Sequence, residues 1–446
     1  MSVPKLAAIC LMLCMVCLGG SAWGQAEGPQ RYFNVKAGPV YIVLSSGVSM
    51  EYTDNVNLSN GKTTPIEPEL TIIPNIGITA ATQVQLQPTA ELNTSDLRLS
   101  ANFGYRDYVF HPQLNQKVVD INLSPDSELS LLIHAGHFKI RLHDGFSVQS
   151  DPATDSNLSN IAVFRRFVNT VGVDTQWDIN SKTRAHFGYN HSNLYALSVT
   201  SLGTAGTTGS TSSTKTKSSP LAASNINASS LNSSTDAVNF SVDCQVLSLL
   251  NVGFTSSVQA TTFPADPNQD STSYSYGPRA TVRLSQYTTL TASYGVTQSR
   301  MGNVFTGTSP TTGTTGNTTS NYYDLTLANQ LNTYYSHTAS IGRQISLSVL
   351  GEQTEVDYLR YNGSWRVNSH IAIAIGVFAE NTASMGATLL GNSYRYRRYG
   401  CTLSTSYRLS RKIYTTLAYR FTDKVADDPA QSYKQNTLTW TINYQF

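Results

Sequence analysis

The chain has 446 residues, a formal net charge of +2, 25 tyrosines and 30 glycines, and only 13 % of it is charged. That charged share is about half the usual one for a soluble domain, and the near-neutral balance excludes the basic surface that a nucleic-acid partner requires. No apolar run of about 18 residues follows the N-terminus, which excludes a membrane-spanning helix.

In chain order, residues 1–24 form a secretory signal. Lys5 is its only charge, Leu6 to Leu18 is its apolar stretch, and Ser21-Ala22-Trp23-Gly24 offers the small-residue cleavage site. The apolar stretch is too short to span a bilayer. Cys10, Cys14 and Cys17 lie within it, and none follows the small residue that a lipid-anchor site needs. The remaining Cys244 and Cys401 are far apart, fall on positions expected to face lipid, and form neither a disulfide framework nor a zinc spacing. Residues 25–39 are expected to be a short periplasmic tail, and residues 40–446 a single β domain.

The first strand alternates Val48, Met50 and Tyr52 with Ser49 and Glu51, and stops at the turn formers Thr53-Asp54-Asn55. Leu70 to Leu92 follows. Pro74 and Pro88 interrupt it, and because proline lacks a ladder donor, a bulge or irregular pairing is expected at each. Leu97, Leu99, Ala101, Phe103 and Tyr105 then alternate with Arg98, Ser100, Asn102, Gly104 and Arg106. From here short and long intervals take turns. The short candidates are Pro125–Glu128, Ile179–Lys182, Leu247–Leu250, Leu284–Tyr287, Leu331–Thr333, Val367–Ser369 and Leu409–Lys412. The long ones include His143–Asn160, Thr200–Ser234, Gly302–Ser320, Asn381–Ser393 and Asp423–Ser432. Short turns at one end and long loops at the other are the pattern of a transmembrane β-barrel. The count is about 18 strands, or 16 without the weakest, which lie before residue 95 and near Gln344. Thr200 to Ser234 is almost entirely Ser, Thr, Gly, Ala and Asn, and cannot bury a core. It is expected to be a solvated loop, with adhesion as the alternative use.

Catalytic and metal signals are sparse. His134 and His137 are three apart, so on a strand they point to opposite faces and cannot share a metal. Asn190-His191-Ser192-Asn193 resembles the His-x-Ser-Asn stretch of outer-membrane lipid-A deacylases. Here the histidine and serine are adjacent, so a strand turns them apart and the nucleophile–base bond is out of reach. Asp151–Asp155 and Asp266–Asp270 lack the glycine and terminal glutamate of a calcium loop. The sequence therefore predicts no enzyme, cofactor or metal.

The phase opposite the apolar one is more informative. It holds Arg98, Arg106, Arg184, Arg279, Arg283, Arg360, Arg366, Arg408 and Arg420, with Glu91, Asp174, Asp178, Asp243 and Asp324. On the lipid face each arginine would cost about 2–4 kcal/mol at the midplane, so these residues belong inside. Two readings stay open: an arginine-lined path for an anionic solute, or an interior cross-linked by Arg–Asp pairs. Small residues share this phase (Ser100, Gly104, Gly188, Gly253, Ser404), which leaves room for water in a barrel of 16 or more strands.

At the far end, Leu438, Trp440, Ile442, Tyr444 and Phe446 alternate with Thr437, Thr439, Thr441, Asn443 and Gln445, and the chain stops on an aromatic. This resembles the C-terminal signature of bacterial outer-membrane barrels. It implies that Trp440, Tyr444 and Phe446 are read by the barrel-assembly machinery and that the barrel sits among outer-membrane lipid and lipopolysaccharide. Two further runs, Glu51-Tyr52-Thr53-Asp54-Asn55-Val56 with Ile73-Pro74-Asn75-Ile76-Gly77, and Tyr433-Lys434-Gln435-Asn436, resemble a family of outer-membrane barrels from exosortase-associated and exopolysaccharide gene clusters; Asn75 stands where that family usually has glycine. The resemblance implies an outer-membrane barrel associated with polysaccharide export, with periplasmic export components as partners, and supplies no catalytic residues. The combined expectation is an outer-membrane channel for an anionic saccharide or exopolysaccharide.

Overall fold

The computed structural model describes residues 35–62, 65–85, 94–115, 121–123, 127–149, 163–200, 231–265, 267, 270–303, 315–347, 353–385 and 395–446. Residues 1–34, Pro88, Glu91 and most of Thr200–Ser234 lie outside them. Among the described residues one 21-stranded antiparallel sheet contains β1 (Val35–Ala37), β2 (Val40–Thr53), β3 (Glu69–Gln85), β4 (Thr94–Tyr105), β5 (Asp107–Tyr108), β6 (Ile121–Leu123) and β7 (Glu128–Ala135). It continues through β8 (Phe138–Gln149), β9 (Val163–Asp178), β10 (Thr183–Thr200), β11 (Ser233–Leu247), β12 (Leu250–Thr262), β13 (Ser271–Arg283) and β14 (Thr288–Asn303). It ends with β15 (Thr315–Gln330), β16 (Tyr335–Leu347), β17 (Gln353–Arg366), β18 (Ile371–Met385), β19 (Arg395–Arg408), β20 (Ile413–Ala426) and β21 (Tyr433–Gln445). The long strands β2–β4 and β7–β21 close an 18-strand antiparallel barrel, sealed where β21 pairs with β2 from Ser45↔Gln445 to Thr53↔Thr437.

The alternation seen in the sequence is what lets this sheet close without a core. Val48, Met50, Trp440 and Ile442 stand exposed on the outer surface of the closing seam, while Ser49 and Thr441 share a 2.9 Å hydroxyl hydrogen bond inside. Ser275–Thr297 (2.8 Å), Thr170–Ser192 (3.0 Å) and Ser406–Thr416 (3.0 Å) repeat this inner stitching, a cross-strand pairing that adds to the backbone ladder. At one end the strands are joined by tight turns. Asn180, Asn332 and Asn368 each accept two backbone N–H groups at 2.7–2.8 Å there, so the side chain supplies the turn's missing acceptor.

Some expectations are corrected. Pro125 and Asp126 lie outside the described residues, and β6 and β7 on either side both pair with β4 in the same direction, so they form no hairpin; the tight turn is Gly136-His137, between β7 and β8, where Gly136 takes φ +59°, a conformation open to glycine. His134 therefore lies in β7 opposite Lys139, with His137 in the turn. The irregular pairing expected near Pro74 is present on one edge only: toward β2 the ladder runs unbroken through Val48↔Pro74. The interruption is on the other edge, where β4 ends at Tyr105 and pairing resumes at Ile72↔Asp107. Strands β8, β18 and β20 also run on into the expected long intervals, to Gln149, Met385 and Ala426. Alternation is enforced only inside the hydrocarbon layer, whereas backbone pairing continues above it.

The stretch near Gln344 reads weakly for a structural reason. The β15–β16 ladder stops at Tyr323↔Arg343, while β16 and β17 stay paired as far as Leu347↔Gln353. Beyond Arg343 this hairpin separates from β15, while β17 stays paired with β18 as far as Gln353↔Met385. Gln353 donates to Ser299 of β14 and accepts from Thr318 of β15, both at 2.6 Å, and Glu355 accepts from Ser320 at 2.8 Å. The phase that carries lipid-facing Ile341 and Leu359 lower down thus carries Arg343, Asp357 and Glu355 higher up, where it lies on the inner wall of β14 and β15.

Candidate functional site

The short-turn mouth is built from one repeated position. Seven of the strands descending to that end, from β9 on, carry at or near their end an inward residue whose backbone N–H donates to a carbonyl of the preceding turn. Asp178 donates to His137 (2.9 Å), Gln245 to Lys182 (2.7 Å), Arg283 to Leu249 (2.7 Å) and Gln330 to Tyr287 (2.8 Å). Arg366 donates to Tyr334 (2.7 Å), Arg408 to His370 (2.8 Å) and Gln445 to Lys412 (2.8 Å). These residues form an arc of the rim with one carboxylate, Asp178. Arg184 donates to it at 2.6 Å and Gln176 at 3.0 Å, so its charge is matched. Arg283, Arg366 and Arg408 make no ion pair among the described residues, and Arg283 and Arg366 are exposed. Arg98 of β4 is likewise exposed and without an ion pair among the described residues, with Asp96 two positions earlier in the same phase.

Further in, the arginines are bound to acids. Arg279 of β13 reaches Asp243 of β11 across β12. The residue it crosses is Gly253, in register with both, and a Cβ there would collide with the Asp243 carboxylate. Arg141 pairs with Glu128 at 2.6 Å. Arg343 donates to Asp357 at 2.7 Å and lies 2.9 Å from Glu355. Arg106 stands 4.0 Å from Glu51. Glu380 of β18 holds Arg360 at 2.9 Å and Arg398 at 2.6 Å. Arg420 is placed on the inner face between Thr402 and Thr437. Of the arginines singled out from the sequence, Arg106, Arg184, Arg279 and Arg360 are therefore cross-links, and Arg98, Arg283, Arg366 and Arg408 carry charge without an acid partner among the described residues. Sequence reasoning missed Arg141, Arg343, Arg398 and Glu380. Parity with Gly376 places Glu380 inside, but Phe378 between them breaks the polar pattern. Arg343 lies in the apolar phase and becomes intelligible only once the hairpin turns inward.

A cavity of about 780 Å³ spans the lumen between the β8–β13 wall and the β14–β17 wall, bordered by Arg141, Asp174, His186, Asn239, Asp324 and Tyr358. Its lining mixes charged, phenolic, hydroxyl and amide groups with Leu132, Phe187, Phe240 and Ile345. Such a surface can carry a hydrated solute.

Other singled-out residues have structural places. Asp54 accepts the Asn436 backbone N–H at 2.7 Å and its side-chain amide at 2.6 Å. Asn55 donates to the Lys434 carbonyl at 2.7 Å, and Gln435 donates to the Asn55 carbonyl at 3.0 Å. The two short runs that carry the exopolysaccharide-cluster resemblance thus meet at the barrel's closing seam. Trp440 donates to Thr415 at 2.8 Å on the outer face, and Tyr444 and Phe446 meet edge to face at 4.9 Å. His191 bonds Asp236 at 2.8 Å on the face that carries exposed Tyr189, while Ser192 bonds Thr170 on the opposite face.

The chain matches no family model and no curated protein. Among solved structures it is similar to the Pseudomonas aeruginosa protein OccK5, at TM-score 0.45 and 9 % identity over 91 % of this chain and 98 % of that one. It is similar to a BenF-like porin from Pseudomonas fluorescens at TM-score 0.47 and 7 % identity, over 91 % and 99 %. It is also similar to outer-membrane expressed OmpT of Vibrio cholerae, at TM-score 0.36 and 11 % identity, over 92 % and 99 %. These likenesses are of barrel architecture and carry no information on solutes.

Proposed function

We propose that the protein is a channel of the bacterial outer membrane that passes small anionic solutes, with the short-turn mouth on the periplasmic side. The observation that carries this reading is the arc of Arg283, Arg366 and Arg408, three cations at equivalent rim positions with no acid partner among the described residues. An arginine kept only for cross-linking would have its carboxylate, as Arg184 and Arg279 do. An unmatched guanidinium at a water-filled mouth attracts anions and repels cations. The charge is permanent at physiological pH.

The extension to anionic saccharides, and to exopolysaccharide export in particular, rests on the family resemblance and the hydroxyl-rich wall. A lipid-modifying enzyme is the weaker reading, because His191 and Ser192 sit on opposite faces of β10 and cannot exchange a proton. Planar-bilayer recording of the purified barrel tests the proposal. Under a tenfold gradient of dilute potassium chloride the reversal potential should carry the anion-selective sign and move toward zero as both sides approach 1 M. A barrel that conducts without anion preference in dilute salt would refute it.

A further inference from the structure

The wall of β16–β19 carries a hollow of a different kind from the mouth. A cavity of about 570 Å³ is bordered by Arg360 and Asn362 of β17, Gly376 and Glu380 of β18, and Arg398 and Thr402 of β19. Its charge is arranged, not merely present. One Glu380 oxygen accepts Nε and Nη2 of Arg360 at 3.3 and 2.9 Å, and the other accepts Nε and Nη2 of Arg398 at 3.1 and 2.6 Å. Both oxygens of the carboxylate are engaged and its side chain is only 8 % exposed. Each guanidinium has used the same edge, so the Nη1 nitrogen of each has no partner among the described residues. The Arg360 side chain remains 36 % exposed. Two arginines against one glutamate leave a single positive charge.

Both arginines are also held in place. The Arg360 guanidinium lies 4.3 Å from the centre of the Tyr358 ring, and that tyrosine donates to Asp324 at 2.7 Å. The Arg398 guanidinium lies 5.2 Å from the Phe378 ring. Aromatic packing and a bidentate carboxylate together restrict both side chains, so less entropy is lost when a ligand engages their free edges. Beyond Phe378, which is in register with Arg360, the floor is Gly376, in register with Asn362 on one side and Thr402 on the other. A Cβ at Gly376 would come within 3.2 Å of the Asn362 amide oxygen and 3.9 Å of the Thr402 Cβ. The missing side chain is what makes the hollow, and an amide and a hydroxyl stand at its sides.

We propose that this hollow is a binding site for a hydroxylated monocarboxylate of sugar-acid type. The ligand's carboxylate engages the Nη1 edges of Arg360 and Arg398, and its ring hydroxyls exchange hydrogen bonds with Asn362 and Thr402. One net positive charge matches one carboxylate, and the polar walls match hydroxyls that an apolar acid lacks. The inference rests on the channel reading for delivery of solute to the lumen, but binding itself requires no conduction.

Isothermal titration of the detergent-solubilised full barrel with D-galacturonate tests it, with D-galactose and cyclohexanecarboxylate as comparison ligands. Saturable galacturonate binding is expected, at least tenfold tighter than either comparison ligand. Gly376→Val puts an isopropyl group on the floor between Asn362 and Thr402 and leaves every charge in place; it should weaken galacturonate binding at least tenfold. The double variant Arg360→Gln with Glu380→Gln keeps the local charge at +1 and removes half of the clamp; it should weaken binding to a similar degree. Heat-modifiable gel mobility identifies a variant that fails to fold, and the other variant then decides. Absence of saturable galacturonate binding to the wild-type barrel would overturn the proposal. So would equal affinity for galactose or cyclohexanecarboxylate, or unchanged binding by a folded variant. Galacturonate binding by a barrel without anion preference in bilayers would leave this site standing and remove the channel reading; anion preference without binding would do the reverse.

Discussion

Neutralising the unmatched arc should abolish most of the channel's anion preference. The perturbation is Arg283→Gln, Arg366→Gln and Arg408→Gln together, which makes the arc resemble its own Gln245, Gln330 and Gln445 positions. Glutamine preserves the backbone bonds and most of the side-chain length, so closure of the barrel is untouched. The magnitude follows from Coulomb's law in water. A monovalent ion about 10 Å from one exposed arginine gains roughly 0.4 kcal/mol at a dielectric constant of about 80. Three such charges give about 1.2 kcal/mol, or roughly an eightfold enrichment of a monovalent anion in dilute salt, with a monovalent cation disfavoured by the same amount. Screening shortens the reach of these charges from about 30 Å at 0.01 M salt to about 3 Å at 1 M, so the effect must fade as salt rises. The assay is the reversal potential across a planar bilayer in dilute and concentrated salt. As a comparison, Arg184→Gln with Asp178→Asn removes a matched pair from the same rim and should leave selectivity unchanged. An unchanged reversal potential in the triple variant, or an equal shift in the matched-pair variant, would refute the assignment of selectivity to the arc.

Three other expectations are independent of solute. Gly253→Val places a side chain against the Asp243 carboxylate and the Val242 carbonyl, and should lower the barrel's unfolding free energy by about 1–3 kcal/mol through loss of a charged hydrogen bond; a urea titration read by gel mobility would show no change in midpoint if the crossing over Gly253 is incidental. Phe446→Ala should reduce the folded fraction recovered from the outer membrane, and undiminished yield would remove this residue from the assembly signal. In a background with Cys244→Ser and Cys401→Ser, Asp427→Cys should react with an impermeant maleimide on intact cells and Asn332→Cys only after the outer membrane is opened; the opposite pattern would invert the barrel.

Much of this barrel is written in single residues and their parity. The run from Leu438 to Phe446 declares one face for lipid and one for water, because an up-and-down barrel has no other place for an apolar stripe. Arg279 and Asp243 are legible as interior residues for the same reason. Their partnership is not, since it depends on β12 running between them and on Gly253 standing where they cross. Nor can parity separate Arg283 from Arg279. They lie four residues apart on one face of β13, and one is bound to an acid while the other closes a rim of backbone donors. The motifs around Asp54 and Asn436 show the same limit: 382 positions separate them in sequence, and only closure of the sheet makes them one clamp. Arg343, Asp357 and Glu355 actively mislead, because a charged run in the lipid phase argues against a strand until the hairpin is seen to fold onto the inner wall. Sequence determined which face each residue takes, because that choice is made locally by solvent on either side of a two-residue repeat. Tertiary structure decided which charges are neutralised, because neutralisation depends on register between strands far apart in the chain, and side-chain period carries no information about register.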